Sequence, residues 1–276
     1  MQGKISCLPV SLYKDFFAGE ITVAQWSARA KALGLDCVDI NALFIREKSL
    51  EEIAGIRKEL AVPVLMVSAY SDFTCPEDAQ REVILQTALE DMQRAAAIGA
   101  KYIRLTAGQA YPGQEDEAVC RRVRACFEVC AQKAKDLALT ILLENHSKPG
   151  AWQYPDYNFC LERFLLLWQK LQDLPISINF DTANAWALAD WQKILKAVAG
   201  RIATVHINDL ASIQPLTFCG AGEGIVPIEE MLKAVYDTGF RGEICLEEAA
   251  FSGWEGLEKA VGYTLALVNH LTNREV

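Results

Sequence analysis

No apolar run in the chain reaches the ~18 residues needed to cross a bilayer, so no membrane partner is expected. Residues 1–15 lack the basic and then strongly apolar layout of a secretory signal, and a soluble cytoplasmic protein is the expectation. Positive charge is scarce: 27 Lys and Arg stand against 36 Asp and Glu, a formal charge of −9. That is the wrong sign for holding a phosphate backbone, so no nucleic-acid partner is expected either. With 17 Gly and 9 Pro in 276 residues, collagen-like and low-complexity classes are excluded. Histidine is rarer still, with three in the chain: His146, His206 and His270. The nine cysteines are odd in number and scattered, with no CxxC pair, which argues against a disulfide framework and a thiolate zinc motif. Cys126 and Cys130, the nearest pair, have the i,i+4 spacing of one buried helix face, and reduced thiols are expected.

What is abundant is apolar surface. Hydrophobic residues make up 51% of the chain and charged ones 23%, enough for a large buried core. Apolar periodicity separates short strand-like runs from longer amphipathic stretches without a break. Strands are expected at 4–9, 37–41, 62–70, 102–107, 138–146, 176–181, 202–209 and 243–248. Helices are expected at 22–33, 50–60, 79–98, 115–136, 158–171, 189–198, 228–238 and 254–271. Gly34, Gly99, Gly200 and Gly239 stand where helices must stop before the next strand. Strands that alternate strictly with helices pair in parallel, and eight such units close into an α/β (β/α)8 TIM barrel, here one domain over residues 1–276. An open doubly wound sheet is the competing arrangement.

Counting in twos sorts the later strands into two faces. Ile103 and Leu105 oppose Tyr102, Arg104 and Thr106; Ile141, Leu143 and Asn145 oppose Glu144 and His146. Ile178 and Phe180 oppose Asn179 and Asp181; Ala203, Val205 and Ile207 oppose Thr204, His206 and Asn208. Ile244 and Leu246 oppose Glu243, Cys245 and Glu247. In a barrel the apolar face meets the helices, so the other face points inward and carries ionisable groups toward the C-terminal mouth. A buried charge is costly unless it is paired or bound to a cation. Three carboxylates and an imidazole, from Glu144, Asp181, His206 and Glu247, are a hard, oxygen-rich set. It suits one divalent cation, Mn2+ or Mg2+ first, with Co2+ or Zn2+ as alternatives.

The segments LLENHS (142–147), NFDTANAW (179–186), TVHINDL (204–210), GAGEG (220–224) and GFRGEICLEE (239–248) resemble the xylose isomerase-like, sugar phosphate isomerase/epimerase superfamily of barrels. The resemblance spans essentially the whole chain and is most specific in the ordered Glu, Asp, His, Glu at the ends of strands five to eight. Similarity to ketose 3-epimerases implies that Glu144, Asp181, His206 and Glu247 hold one catalytic metal. It also implies that Glu144 and Glu247 exchange protons with opposite faces of a bound sugar. Removing a proton beside a carbonyl needs a carboxylate within ~3 Å of the carbon and stabilisation of the enediolate, which agrees with that role. His146, Arg104 and Asn184 are the candidate substrate contacts, although Asn184 stands where ketose 3-epimerases often carry His. Arg104, Glu144 and His146 also resemble 3-dehydroshikimate dehydratases, but Asn208 replaces the Lys usual in that branch. Endonuclease IV-like chemistry is excluded, because three histidines are too few for a three-metal site. The remaining alternative is a barrel that keeps the metal shell without turnover. Tyr70, Trp152, Trp186 and Phe251 are candidate walls against a sugar's C–H face. GAGEG lacks the Lys of a phosphate loop and is read as a tight turn. A small-molecule sugar is the expected partner, and the resemblance adds a homo-oligomer built over the barrel mouth.

Overall fold

The computed structural model describes residues 3–147 and 152–272. Among them run strands β1 (Ile5–Pro9), β2 (Val38–Asn41), β3 (Val64–Ser68), β4 (Tyr102–Leu105) and β5 (Thr140–Glu144). Then come β6 (Ile176–Asp181), β7 (Ile202–Ile207), the hairpin β8 (Asp209–Ile213) and β9 (Leu216–Cys219), and β10 (Glu243–Glu248). The helices are α1 (Tyr13–Phe17), α2 (Val23–Ala32), α3 (Leu50–Glu59), α4 (Asp78–Ile98) and α5 (Asp116–Asp136). They continue with α6 (Leu161–Leu171), α7 (Thr182–Ala187), α8 (Trp191–Val198), α9 (Ile228–Asp237) and α10 (Gly253–Thr272).

Eight strands pair in parallel in the order β1-β10-β7-β6-β5-β4-β3-β2. The two ends of that order meet where the amides of Asp36 and Cys37 donate to Ile5 O at 2.9 and 3.3 Å. The result is a (β/α)8 barrel, as the alternation predicts. Local signals agree with it. Thr22 and Ser49 close capping boxes with Gln25 and Glu52 at the starts of α2 and α3. Gly34, Gly99, Gly200 and Gly239 end helices at φ between +79° and +88°. On α5 the row Cys120, Val123, Phe127, Cys130 and Ala134 is buried against the barrel, and all nine cysteines are free thiols.

Strand parity holds as well. Leu142 packs inside with Met66 and Tyr102, while Ile141 and Leu143 join the layer between barrel and helices. The N-terminal end of the barrel is closed by Glu243, which accepts from Tyr102 Oη and Lys101 Nζ, both at 2.7 Å. Several boundaries differ from the sequence expectation. The expected strand 202–209 stops at Ile207, and Asp209 begins the hairpin instead. The short helices α1 and α7 are additions, and α6 starts at Leu161, because residues 156–160 turn back to meet β5.

Candidate functional site

Glu144 and Asp181 are the last residues of β5 and β6, and His206 and Glu247 the penultimate residues of β7 and β10. Inward parity therefore sends all four side chains to one level of the C-terminal mouth. One ligand-capable atom of each lies within 4.8 Å of the others. Glu144, Asp181 and His206 are fully excluded from solvent, and the Glu247 side chain keeps 12% exposure. His206 Nδ1 lies 2.7 Å from Glu247 Oε2 and 3.3 Å from Glu144 Oε1.

Each member is held by a different device. Asp181 Oδ1 accepts the amide of Asn184 at 2.6 Å as the N-cap of α7, while Oδ2 is buried and accepts no hydrogen bond. Asn145 fixes the Asp181 main chain: its Nδ2 donates to Asp181 O at 2.8 Å, and its Oδ1 accepts from Asp181 N at 3.0 Å. Thr182 does the same for the next strand, donating to Asn208 O at 2.8 Å and accepting from Asn208 N at 3.0 Å. These side chains continue the ladder past the strand ends and rigidify the rim. Arg104 Nη1 donates to Glu144 Oε2 at 2.6 Å, and its guanidinium lies 4.7 Å from the Tyr70 ring centroid.

The electrostatics divide the carboxylates. Burial opposes ionisation of Glu144, but Arg104 and His206 outweigh it and hold the carboxyl well below its usual range. For Asp181, burial and then the charges of Glu144 and Glu247 act together and push its carboxyl well above it. Burial would lower His206, yet neighbouring Cys245 and Glu144 raise it well above an ordinary imidazole. Glu144 Oε1 and Asp181 Oδ2 are buried acceptors without donors, beside a carboxylate and an imidazole in mutual reach. Such an oxygen-rich set with surplus negative charge fits a divalent cation.

A cavity of about 740 Å³ opens above this level, lined by Tyr13, Asn41, Tyr70, His146, Trp152, Phe218 and Glu247 among others. Asp156 Oδ2 stands 3.0 Å from His146 Nδ1 and orients the ring. Of the three candidate substrate contacts, only His146 reaches the lining. Arg104 lies beneath it, fully buried between Glu144 and Tyr70. Asn184 is buried on α7 with Oδ1 unpartnered and does not line the cavity. Tyr70, Trp152 and Phe251 form walls as expected, whereas Trp186 packs against the core between barrel and helices. Tyr13 and Phe17 on α1, and Phe218 on the hairpin, are walls that sequence periodicity missed, because their elements are too short to show a period. His270 is exposed on α10.

The GAGEG segment does more than turn. The carboxylate of Asp209 accepts from the amides of Leu210, Gly222, Gly224 and Val226 at 2.8–3.1 Å. The loop wraps the protein's own anion, and a Cβ on Gly224 would stand 2.4 Å from Asp209 Oδ1.

No curated protein sequence matches the chain significantly. Solved structures do match in fold. D-psicose 3-epimerase from Clostridium cellulolyticum H10, solved with D-tagatose, superposes with TM-score 0.77 at 12% identity, over 97% of this chain and 99% of that one. The IOLI protein solved with a zinc atom gives 0.77 at 16% identity, over 98% of each chain. A probable 3-DHS dehydratase, AsbF from Bacillus anthracis, gives 0.73 at 18% identity, over 95% and 98%. At these identities the likeness is one of fold. The sequence itself matches the family model described as xylose isomerase-like TIM barrel over residues 27–266, and the chain belongs to that family.

Proposed function

We propose that the protein is a divalent-metal-dependent isomerase or epimerase of a keto sugar or related polyol, acting by proton transfer beside a carbonyl through an enediolate. The observation that carries this reading is the convergence of Glu144, Asp181, His206 and Glu247, with buried acceptors left open, at the floor of the cavity. These four residues would hold the ion, Mn2+ or Mg2+ by hardness, with Co2+ or Zn2+ as alternatives. When bound, the ion supplies Lewis-acid charge to the oxygens that become negative as the proton leaves. Glu247 is the one of the four that reaches the cavity, and it serves as the base on that face of the sugar. Glu144, kept anionic by Arg104 and buried just below the cavity lining, is assigned the opposite face by the family resemblance alone. His146 Nε2 offers a hydrogen bond to a substrate hydroxyl, and Tyr70 and Trp152 exclude water. Arg104 and Asn184 act in this reading by supporting Glu144 and the Asp181 turn. A cytoplasmic location and a homo-oligomer covering the mouth belong to the same reading; Phe17 and Phe251 at the rim are 58% and 65% exposed.

The test is a panel of keto sugars incubated in D2O with Mn2+, read by NMR for carbon-bound deuterium. Incorporation is expected, and Glu247→Gln is expected to keep the fold while losing about 10²-fold or more of it. A dehydratase is the second reading, favoured by the Arg104–Glu144 pair with His146 two residues on. It predicts a conjugated, ultraviolet-absorbing product. Metal uptake with neither deuterium nor product would leave a non-catalytic metal-binding barrel.

A further inference from the structure

Beneath the quartet, on the side of His206 away from the cavity, lies a second trio. Asp39 on β2, His206 and Cys245 on β10 keep one ligand-capable atom of each within 4.8 Å of the others. All three are interior residues, 0–1% exposed. His206 Nδ1 faces Glu247 and Glu144. That leaves Nε2, which is buried without a partner, and both carboxylate oxygens of Asp39 are buried without partners too. An imidazole whose Nδ1 lone pair is given to a metal carries its proton on Nε2, and that N–H needs an acceptor in a place water does not reach.

We propose that Cys245 and Asp39 are positioning residues for the metal ligand His206: Nε2–H donates to Cys245 Sγ, and the thiol S–H, which in the metal-free chain points to Leu246 O at 3.5 Å, turns to donate to the Asp39 carboxylate. The relay fixes the tautomer that presents Nδ1 to the ion and holds the ring plane between β5 and β10. It moves no proton to substrate and touches none. The proposal rests on the metal-site reading, from which its test is kept separate. Neither residue belongs to the quartet, and the quartet-facing side of His206 leaves Nε2 unsupported without them. The trio is not itself assigned an ion, because His206 is shared, and Asp39 and Cys245 are buried and do not line the mouth cavity.

The experiment is Mn2+ binding to the purified chain, with free Mn2+ read from its EPR signal, for wild type, Cys245→Ala, Cys245→Ser and Asp39→Leu. Loss of an outer-shell partner of a ligating histidine costs about 10–100-fold in affinity, and that loss is expected for Cys245→Ala and Asp39→Leu. Cys245→Ser, which keeps one donor and one acceptor, is expected to stay close to wild type. A second readout does not depend on how well a variant folds. The chain has three histidines, so 15N-histidine labelling of the Zn2+-loaded wild type gives three imidazoles to assign. The Nε2 proton of His206 is expected to be present and protected from exchange. Wild type that takes up no Mn2+ overturns the site reading and the proposal together. Wild type that binds, with Cys245→Ala and Asp39→Leu equally tight, overturns the proposal alone. So does a His206 coordinated through Nε2, or a second equivalent of Zn2+ that disappears in Cys245→Ala.

Discussion

Arg104 and Glu144 meet at 2.6 Å with neither side chain touching solvent, one strand apart on the inner face of the barrel. A pair this deep is a constraint more than a source of stability, because two desolvation costs offset the attraction. Removing one partner leaves the other charge buried alone, so Arg104→Met is expected to cost about 3–5 kcal/mol in chemical denaturation. The double variant Arg104→Met with Glu144→Met should recover much of that loss. Arg104→Lys keeps the charge but not the planar guanidinium stacked on Tyr70, and should fall between. A loss in the double variant equal to the sum of the losses in the two single variants would show that the two residues do not act as a pair.

Metal binding should release protons. Asp181, pushed upward by burial and by the charges of Glu144 and Glu247, holds a proton that a coordinating carboxylate must give up. Calorimetric titration with Mn2+ at pH 6 in two buffers of different ionisation enthalpy should give different heats, because Asp181 and His206, both shifted upward in the metal-free chain, give up protons as they coordinate the ion. The released amount should shrink as the pH is raised. Identical heats in both buffers would mean that the quartet is already deprotonated.

The barrel and its polar inner face were legible because period-2 alternation needs no tertiary information. Glu144, Asp181, His206 and Glu247 fall on inward positions of four strands by counting alone. Asp39 was not legible in the sequence, because in β2, four residues long and buried throughout, no exposed face marks which side points inward. Distances across the barrel were not legible: nothing in the order of residues places Arg104 on Glu144 and Tyr70 and out of the cavity, or buries Asn184 on its own turn. Nor was the partner of GAGEG, since Asp209 contacts it across the hairpin and reads locally as the end of a strand.

Asp209 gives a local test of that loop. One carboxylate accepts four backbone amides. Asp209→Ala is expected to lower stability by about 2–5 kcal/mol. In hydrogen exchange the amides of Gly222, Gly224 and Val226 should lose protection while those of β5 and β6 keep theirs. Uniform loss across the barrel would mean that the loop is part of the global folding unit, not a separately pinned segment.

Asp39 supplies a pH-dependent test of the barrel interior in the metal-free chain. Burial pushes its carboxyl up to about 6, against an unfolded value near ~4. A folded value above the unfolded one means that the folded chain holds the proton more tightly. The stabilisation is therefore full below about pH 4 and is lost as the pH rises through about 6. Asp39→Asn has no such titration. With EDTA present it should match wild type near pH 4 and exceed it at pH 7.5 by about 1–3 kcal/mol. For a chain of this length that is several degrees in Tm, readable by calorimetry. A variant equally or less stable than wild type at pH 7.5 would show that Asp39 finds compensating hydrogen bonds when ionised.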